Sequence, residues 1–216
     1  MRPVTVTVGP LATASANAIC LSQTPSAGSL TLNGSLVSGG VAILDTPRRV
    51  LITTTANESA KSFTIIGTDW NGQQQIEVIT GPNANTVYTN IDFKTVTSIT
   101  ISASAAGSLT IGTTTIASSM WVRFDSYALS QTAIQCTING TVNYTVQQTL
   151  QDPTDPTSPV LPYQVVWLNS SDPSAVGATA SIQTNYTYSP TWAKVTLNSG
   201  TGSVSAVFTQ FGNAPY

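Results

Sequence analysis

The chain has 216 residues, with 7 Lys+Arg against 9 Asp+Glu, two cysteines, no histidine and a formal net charge of −2. Charged side chains make up 7% of it, far below the roughly 25% of ordinary soluble domains. Without histidine there is no Ser-His-Asp or Cys-His nucleophilic site and no His-ligated zinc; two cysteines exclude a four-cysteine metal site, and so few basic groups argue against nucleic-acid binding.

The first residues alternate, with Val4, Val6 and Val8 separated by threonine. A signal peptide needs a continuous apolar stretch, so this segment is expected to be a strand, in a protein made in a cytoplasm and not exported by a visible signal. No stretch approaches the ~18–20 apolar residues that cross a bilayer, and no membrane partner is expected. The same period of two recurs in Leu30-Thr31-Leu32, Phe63-Thr64-Ile65, Ile99-Thr100-Ile101, Leu109-Thr110-Ile111, Val142 to Val146 and Val195-Thr196-Leu197. Helical spacing occurs almost nowhere, and Thr, being β-branched, suits a pleated surface. Asn33-Gly34, Asn71-Gly72 and Asn139-Gly140 are hairpin-turn dipeptides.

The expected fold is therefore all-β, with two antiparallel β-sandwich domains (Ig-like or jelly-roll-like) over residues 1–115 and 116–216. The boundary is placed in the small-residue segment Gly112–Ser119. Turn-then-strand segments beginning at Gly28, Gly107 and Gly202 resemble one another, and Lys94–Ile111 and Lys194–Phe208 both read as strand, turn, strand. Two units closing with similar hairpins would explain this. The three prolines of Gln151–Pro159 forbid a helix and disfavour a central strand, which makes that segment an exposed loop in the second domain, of a kind that contacts partners.

The chemistry-bearing residues each have a plain structural reading beside the functional one. Asp152 and Asp155 could offer oxygens to calcium, but without an acidic cluster an Asp-Pro turn is the better account. Asp69-Trp70-Asn71-Gly72 has its glycine too early for an EF-hand loop and reads as a hairpin. Glu58, Glu77, Asp92 and Asp125 are the remaining candidates for a glycosidase-like pair and are expected to be solvated or cap-forming. Asp45 beside Arg48 and Arg49 is expected to form an ion pair. Cys20 and Cys136 are expected as buried free thiols. The sequons at Asn33, Asn57, Asn139, Asn143, Asn169 and Asn185 follow from an Asn/Ser/Thr-rich composition. Trp70, Trp121, Trp167 and Trp192, with Tyr144, Tyr163, Tyr186 and Tyr188, could build a sugar-stacking platform, or serve as core and interface residues. No residue is assigned a catalytic, cofactor-binding or metal-ligating role.

The runs Pro47–Thr53, Phe63–Asp69, Glu77–Asn83 and Phe93–Ile99, with Gly140–Gln147 and Asn198–Val204 in the second half, resemble a recurrent family of tailed-bacteriophage structural proteins. The shared features are strands and turns, not catalytic signatures, so no functional residue is carried over. The resemblance implies a non-enzymatic virion component, most simply a capsid decoration or cement protein that docks on the coat lattice and self-associates. Its partners would be the major capsid (coat) protein or other virion proteins and further copies of itself, with no cofactor and no nucleic acid. A neck or tail component and a carbohydrate- or receptor-binding module are the alternatives. Low charge fits assembly, because copies repel one another little.

Overall fold

The computed structural model describes residues 3–125, 132–186 and 188–210. Among these the chain is all-β, with antiparallel sheets and two three-residue 3-10 turns, Pro162–Gln164 and Pro173–Ala175. It divides into two compact units, Ala12–Thr115 and a second made of Met1–Leu11 with Ile116–Tyr216. The former, the inserted unit, interrupts the latter, the parent unit. The amino-terminal strand β1 (Val4–Val8) thus departs from the expected 1–115 domain: its buried Val6 and Val8 pack in the parent core.

In the inserted unit the strands are β2 (Cys20–Gln23), β3 (Gly28–Ser29), β4 (Val37–Ser38), β5 (Val41–Thr54), β6 (Ser62–Thr68), β7 (Gln74–Thr80), β8 (Thr86–Tyr88), β9 (Phe93–Ile101) and the first part of β10 (Leu109–Ser118). Their order is β10-β5-β9-β6-β7, with β2 on β10, β3 on β9, and β4 and β8 on β5. Alternate residues of β5, β6 and β9 turn inward, so Val50, Ile52, Phe63, Ile65, Phe93 and Ile99 share one core. Pro47 sits inside β5, which a regular ladder would not tolerate. The register with β9 shifts between Ile43 and Arg48, and this bulge leaves Pro47 without a ladder bond to make.

The bulge delivers Arg48 into the interior, 1% exposed. Its Nε and one terminal nitrogen donate to the Thr114 carbonyl, while the other terminal nitrogen donates to the Ala12 carbonyl and to Asp45 Oδ1 at 2.9 Å. Asp45 Oδ2 in turn accepts from the Ala12 N–H at 2.8 Å. One buried guanidinium therefore holds together the places where the chain enters and leaves the inserted unit. Beside it, Gly112 lies so close to the first residues of the unit that a Cβ there would stand 1.8 Å from the Ser15 carbonyl oxygen.

The remaining strands of the parent unit are β11 (Val122–Arg123), β12 (Thr132–Asn139), β13 (Val142–Thr149), β14 (Leu168–Asn169), β15 (Ile182–Tyr186), β16 (Trp192–Gly200) and β17 (Ser203–Gln210). One sheet runs β1-β17-β12-β15; the other runs β14-β13-β16, with β11 and the end of β10 also on β16. Ile134, Val204 and Phe208 from the first sheet meet Val142, Tyr144, Val146, Val195 and Leu197 from the second in one core. This is a β-sandwich, with both inner faces built by alternation.

Several local expectations are corrected. Gly112–Ser119 is no linker: most of it lies within β10, which runs unbroken across the unit boundary, as suits its β-branched Thr and Ile residues. Neither Lys94–Ile111 nor Lys194–Phe208 forms a hairpin, since β9 is not a neighbour of β10, nor β16 of β17. Of the three Asn-Gly pairs only Asn71-Gly72 closes a hairpin, β6–β7. Asn139-Gly140, with Gly140 at φ +82°, carries the chain from β12 in one sheet to β13 in the other. Asn33 instead accepts the Leu21 N–H through its side chain. The β4–β5 hairpin turns on Gly39-Gly40, at φ +59° and +80°, the positive pair that a two-residue turn requires.

Candidate functional site

Cross-strand register organises the site of greatest interest, at the β13–β14 edge of the parent unit. Gln147 faces Asn169 and Gln148 faces Leu168, while on the other side of β13 Thr149 faces Trp192 and Gln147 faces Lys194. Residues two apart on a strand share a face. Two sets of side chains therefore separate onto opposite faces of one short ribbon.

On one face Trp167, Trp192 and Trp121 cluster. Trp121 lies 5.0 Å from Trp167 and 6.3 Å from Trp192 between ring centroids, at interplanar angles of 63° and 73°. Edge-to-face contact is the favoured packing of aromatic rings, and it leaves no row of coplanar rings for a sugar to stack on. The buried Lys194 ammonium lies 4.9 Å from the Trp167 centroid, and Arg123 stands over Trp192. Asp152 joins the cluster to the proline-rich loop, accepting from Trp192 Nε1 at 3.1 Å and pairing with Arg123 at 3.1 Å. Burial opposes the Asp152 charge, but the Thr154 hydroxyl and amide, Trp192 and Arg123 outweigh it and hold the carboxyl below its usual range.

The other face is apolar and open. Leu168 is 64% exposed, and Leu150 (67%), just past the end of β13, and Val166 (57%), two residues before β14, are exposed as well. The Val166 N–H donates to Gln151 Oε1, fixing that end. Tyr188, 45% exposed, joins the row through Gln148, whose Nε2 donates to the Tyr188 hydroxyl at 3.0 Å. Gln148 itself is buried, and its Oε1 meets no donor among the described residues.

The other candidates from the sequence do not converge on this site or on one another. Asp155 folds into its own turn, accepting from the Thr157 hydroxyl and amide. Glu58 is fully buried, paired with Lys61 and accepting from the Ala106 and Gly107 N–H groups. This is a cap-like role in a dry setting, where a solvated or cap-forming carboxylate was expected. Glu77 accepts from the Asn90 and Ile91 amides, Asp92 lies 3.8 Å from Arg49, and Asp69 accepts from Asn71 and Gln73 within the β6–β7 turn. The Asp125 backbone pairs with the Gln210 side chain. Among the described residues no three of Cys, Asp and Glu gather as metal ligands.

The aromatics part company as well. Trp70 stands in the β6–β7 turn of the inserted unit, and Tyr144 and Tyr186 lie in the parent core. Cys20 and Cys136 are buried free thiols, one in each core. Burial pushes them up to about 12 and about 11, the latter partly offset by a hydrogen bond from Tyr144, and a thiol held protonated is a poor nucleophile. An open trough of about 510 Å³ separates β7 from β8, lined by Val78, Thr80, Thr86, Val87, Tyr88 and Asn90, with no charged group among its lining residues.

Sequence reasoning singled out Tyr188 and the tryptophans but missed the open row. Leu150, Val166 and Leu168 lie outside any long alternating run, and of the three only Leu168 stands in a strand, β14, paired with Gln148 of β13. Comparison with protein-family models, with curated proteins and with solved structures gave no match.

Proposed function

We propose that the chain is a non-enzymatic structural component of a bacteriophage virion, a head decoration protein that docks on the coat lattice through the parent unit. The observation that carries this reading is the open apolar row Leu150, Val166, Leu168 and Tyr188 on a rigid support. Contiguous apolar surface of this kind marks a protein–protein interaction site. Its backing is stiff, because the tryptophan cluster and the Asp152 hydrogen bonds tie the opposite face of the ribbon to β16. Docking onto a preformed, rigid surface loses little conformational entropy. The hydroxyl- and amide-rich remainder, with 7% charge, leaves other faces free to pack against further copies without strong repulsion. The resemblance to tailed-phage structural proteins supplies the kind of assembly.

The test is quantitative mass spectrometry of purified virions of the phage that encodes the chain. Copy numbers comparable to coat protein, and heads that lose heat resistance when the gene is deleted, are expected. About a dozen copies or fewer would overturn the decoration role in favour of the neck or tail. Absence from the particle would overturn the virion assignment.

A further inference from the structure

Strand β7 ends its sheet in the inserted unit, and the phase of its bonds to β6 fixes what its free edge presents. The register runs from Ser62–Thr80 to Thr68–Gln74 without a shift. Just beyond its two ends the Gly81 N–H donates to the Lys61 carbonyl and the Asp69 N–H to the Gln73 carbonyl. Bonded pairs alternate along an antiparallel ladder, so Gln75, Glu77 and Ile79 commit their amides and carbonyls to β6. Those of Gln74, Ile76, Val78 and Thr80 point the other way and meet no partner among the described residues.

This edge is unguarded. Proteins blunt exposed edges with lysine, proline, bulges or very short strands. β7 has seven residues, with no proline, no basic residue and no bulge. The other strands that end a sheet are shorter, five residues in β1 and β15 and two in β14. The single charge of β7 is drawn off the edge, because Glu77 accepts from the Asn90 and Ile91 amides and from Asn90 Nδ2. Val78 is 61% exposed. The open trough of about 510 Å³ lies beside the edge, since the loop leading on to β8 is tied elsewhere: the Pro82 carbonyl accepts the Glu58 N–H and the Ala84 N–H donates to the Ala56 carbonyl.

An edge of outward amides and carbonyls takes a strand, and a second copy of β7 fits it by symmetry. Two copies running antiparallel about a two-fold axis exchange bonds only between outward-facing residues. With Val78 of one copy opposite Val78 of the other, Ile76 meets Thr80, Glu77 meets Ile79, and no charge faces a like charge. Centring the pair one residue earlier would set Glu77 against Glu77, and like charges directly opposite are destabilising. A net charge of −2 over 216 residues leaves little repulsion between whole copies. We infer that β7 is a self-association edge, through which two copies of the chain join into one continuous sheet in the register centred on Val78. This deepens the reading of the chain as an assembly protein by naming the surface at which copies meet.

The test follows the purified full chain by sedimentation velocity and amide hydrogen exchange from about 10 μM to about 1 mM, the range that suits a small interface. A monomer–dimer equilibrium is expected, with the Ile76, Val78 and Thr80 amides exchanging more slowly as concentration rises. The Glu77 and Ile79 amides, already bonded to β6, should not respond. Val78→Lys sets two ammonium groups opposite each other in place of two covered valines and should weaken the dimer at least about tenfold. A monomer at every concentration, a Val78→Lys chain as dimeric as wild type, or exchange at the three amides that ignores concentration would overturn the inference. None of these readouts involves the virion, so self-pairing and the virion assignment can fail separately.

Discussion

The inserted unit and the parent unit are both antiparallel β-structures built from Val, Ile and Thr, yet they place their ion pairs differently. The inserted unit buries Arg48 and Glu58, each meeting an oppositely charged side chain and backbone groups that regular sheet pairing leaves over. The parent unit fills its core with Phe124, Tyr144, Tyr186 and Phe208 and keeps the ion pair Arg123–Asp152 at the edge of the tryptophan cluster. The reason is local. A proline in mid-strand and an interrupted turn strand carbonyls and amides in the interior, and buried polar groups must be paired. In the parent unit buried polar side chains also meet backbone groups, as where Gln210 pairs with the Asp125 backbone and Ser119 accepts the Val195 N–H, but the residues packed in its core are apolar and aromatic.

The largest effects should break this contrast cleanly. Arg48→Met leaves Asp45 and the Ala12 and Thr114 carbonyls without their shared donor. Removing one partner of a buried ion pair costs about 3–5 kcal/mol, and hydrogen exchange should show the loss concentrated in residues 12–115. Phe208→Ala should cost a similar amount, about 3–5 kcal/mol from lost burial and a residual cavity, with increased exchange in β1, β12 and β17 instead. A uniform loss of protection across both units in either variant would erase the distinction.

Acid should sharpen it at intermediate size. Burial opposes charge at both Asp45 and Glu58. The Ala12 amide and Arg48 outweigh it at Asp45, and Lys61 with the Ala106 and Gly107 amides does so at Glu58, so both carboxyls sit below their usual values. A depressed folded value adds stability that is complete above the unfolded value of about 4 and is lost as pH falls through the folded one. Asp69, raised by burial, works the other way in the same turn-rich unit and offsets part of the loss. Below about pH 4, melting curves should show the inserted unit weakening first, and Glu58→Gln should flatten that dependence. In the parent unit Asp152, also held below its usual range, adds a loss of the same sign, while Asp155 and Asp172 are half-buried, remain within reach of solvent and contribute less to the slope.

The smallest expected effect concerns the open row. Leu168→Arg replaces a side chain that is 64% exposed, and the variant's stability should stay within about 0.5 kcal/mol of the parent protein. A larger drop in melting temperature would mean that the row is structural and not a docking face.

Strand content was legible because alternation and turn residues act locally. The runs at Val4–Val8, Phe63–Ile65 and Val142–Val146 are strands as read, and the loop at Gln151–Pro159 carries no strand. What depends on pairing was not legible. Three Asn-Gly dipeptides look alike in sequence, but only Asn71-Gly72 joins neighbouring strands, since the dipeptide supplies positive φ and does not choose a partner. The destination of β1 was hidden for the same reason: its valines fit any sandwich face, and only the register with β17, from Val4–Phe208 to Val8–Val204, selects the parent core. Arg48 was expected in an ordinary ion pair, because nothing in Asp45–Arg49 announces that Pro47 forces a bulge turning the guanidinium inward. At the candidate site Trp121, Trp167 and Trp192 were picked out by residue type, whereas the facing apolar row emerges only from the two-residue strand β14.

The central claim is that this row is how the chain joins a larger assembly. Cosedimentation of the purified protein with coat-protein shells assembled without it tests this most directly. Wild-type protein should pellet with the shells in saturable amounts, and Leu168→Arg, folded and equally stable, should remain in the supernatant. Equal pelleting of the two would contradict the claim.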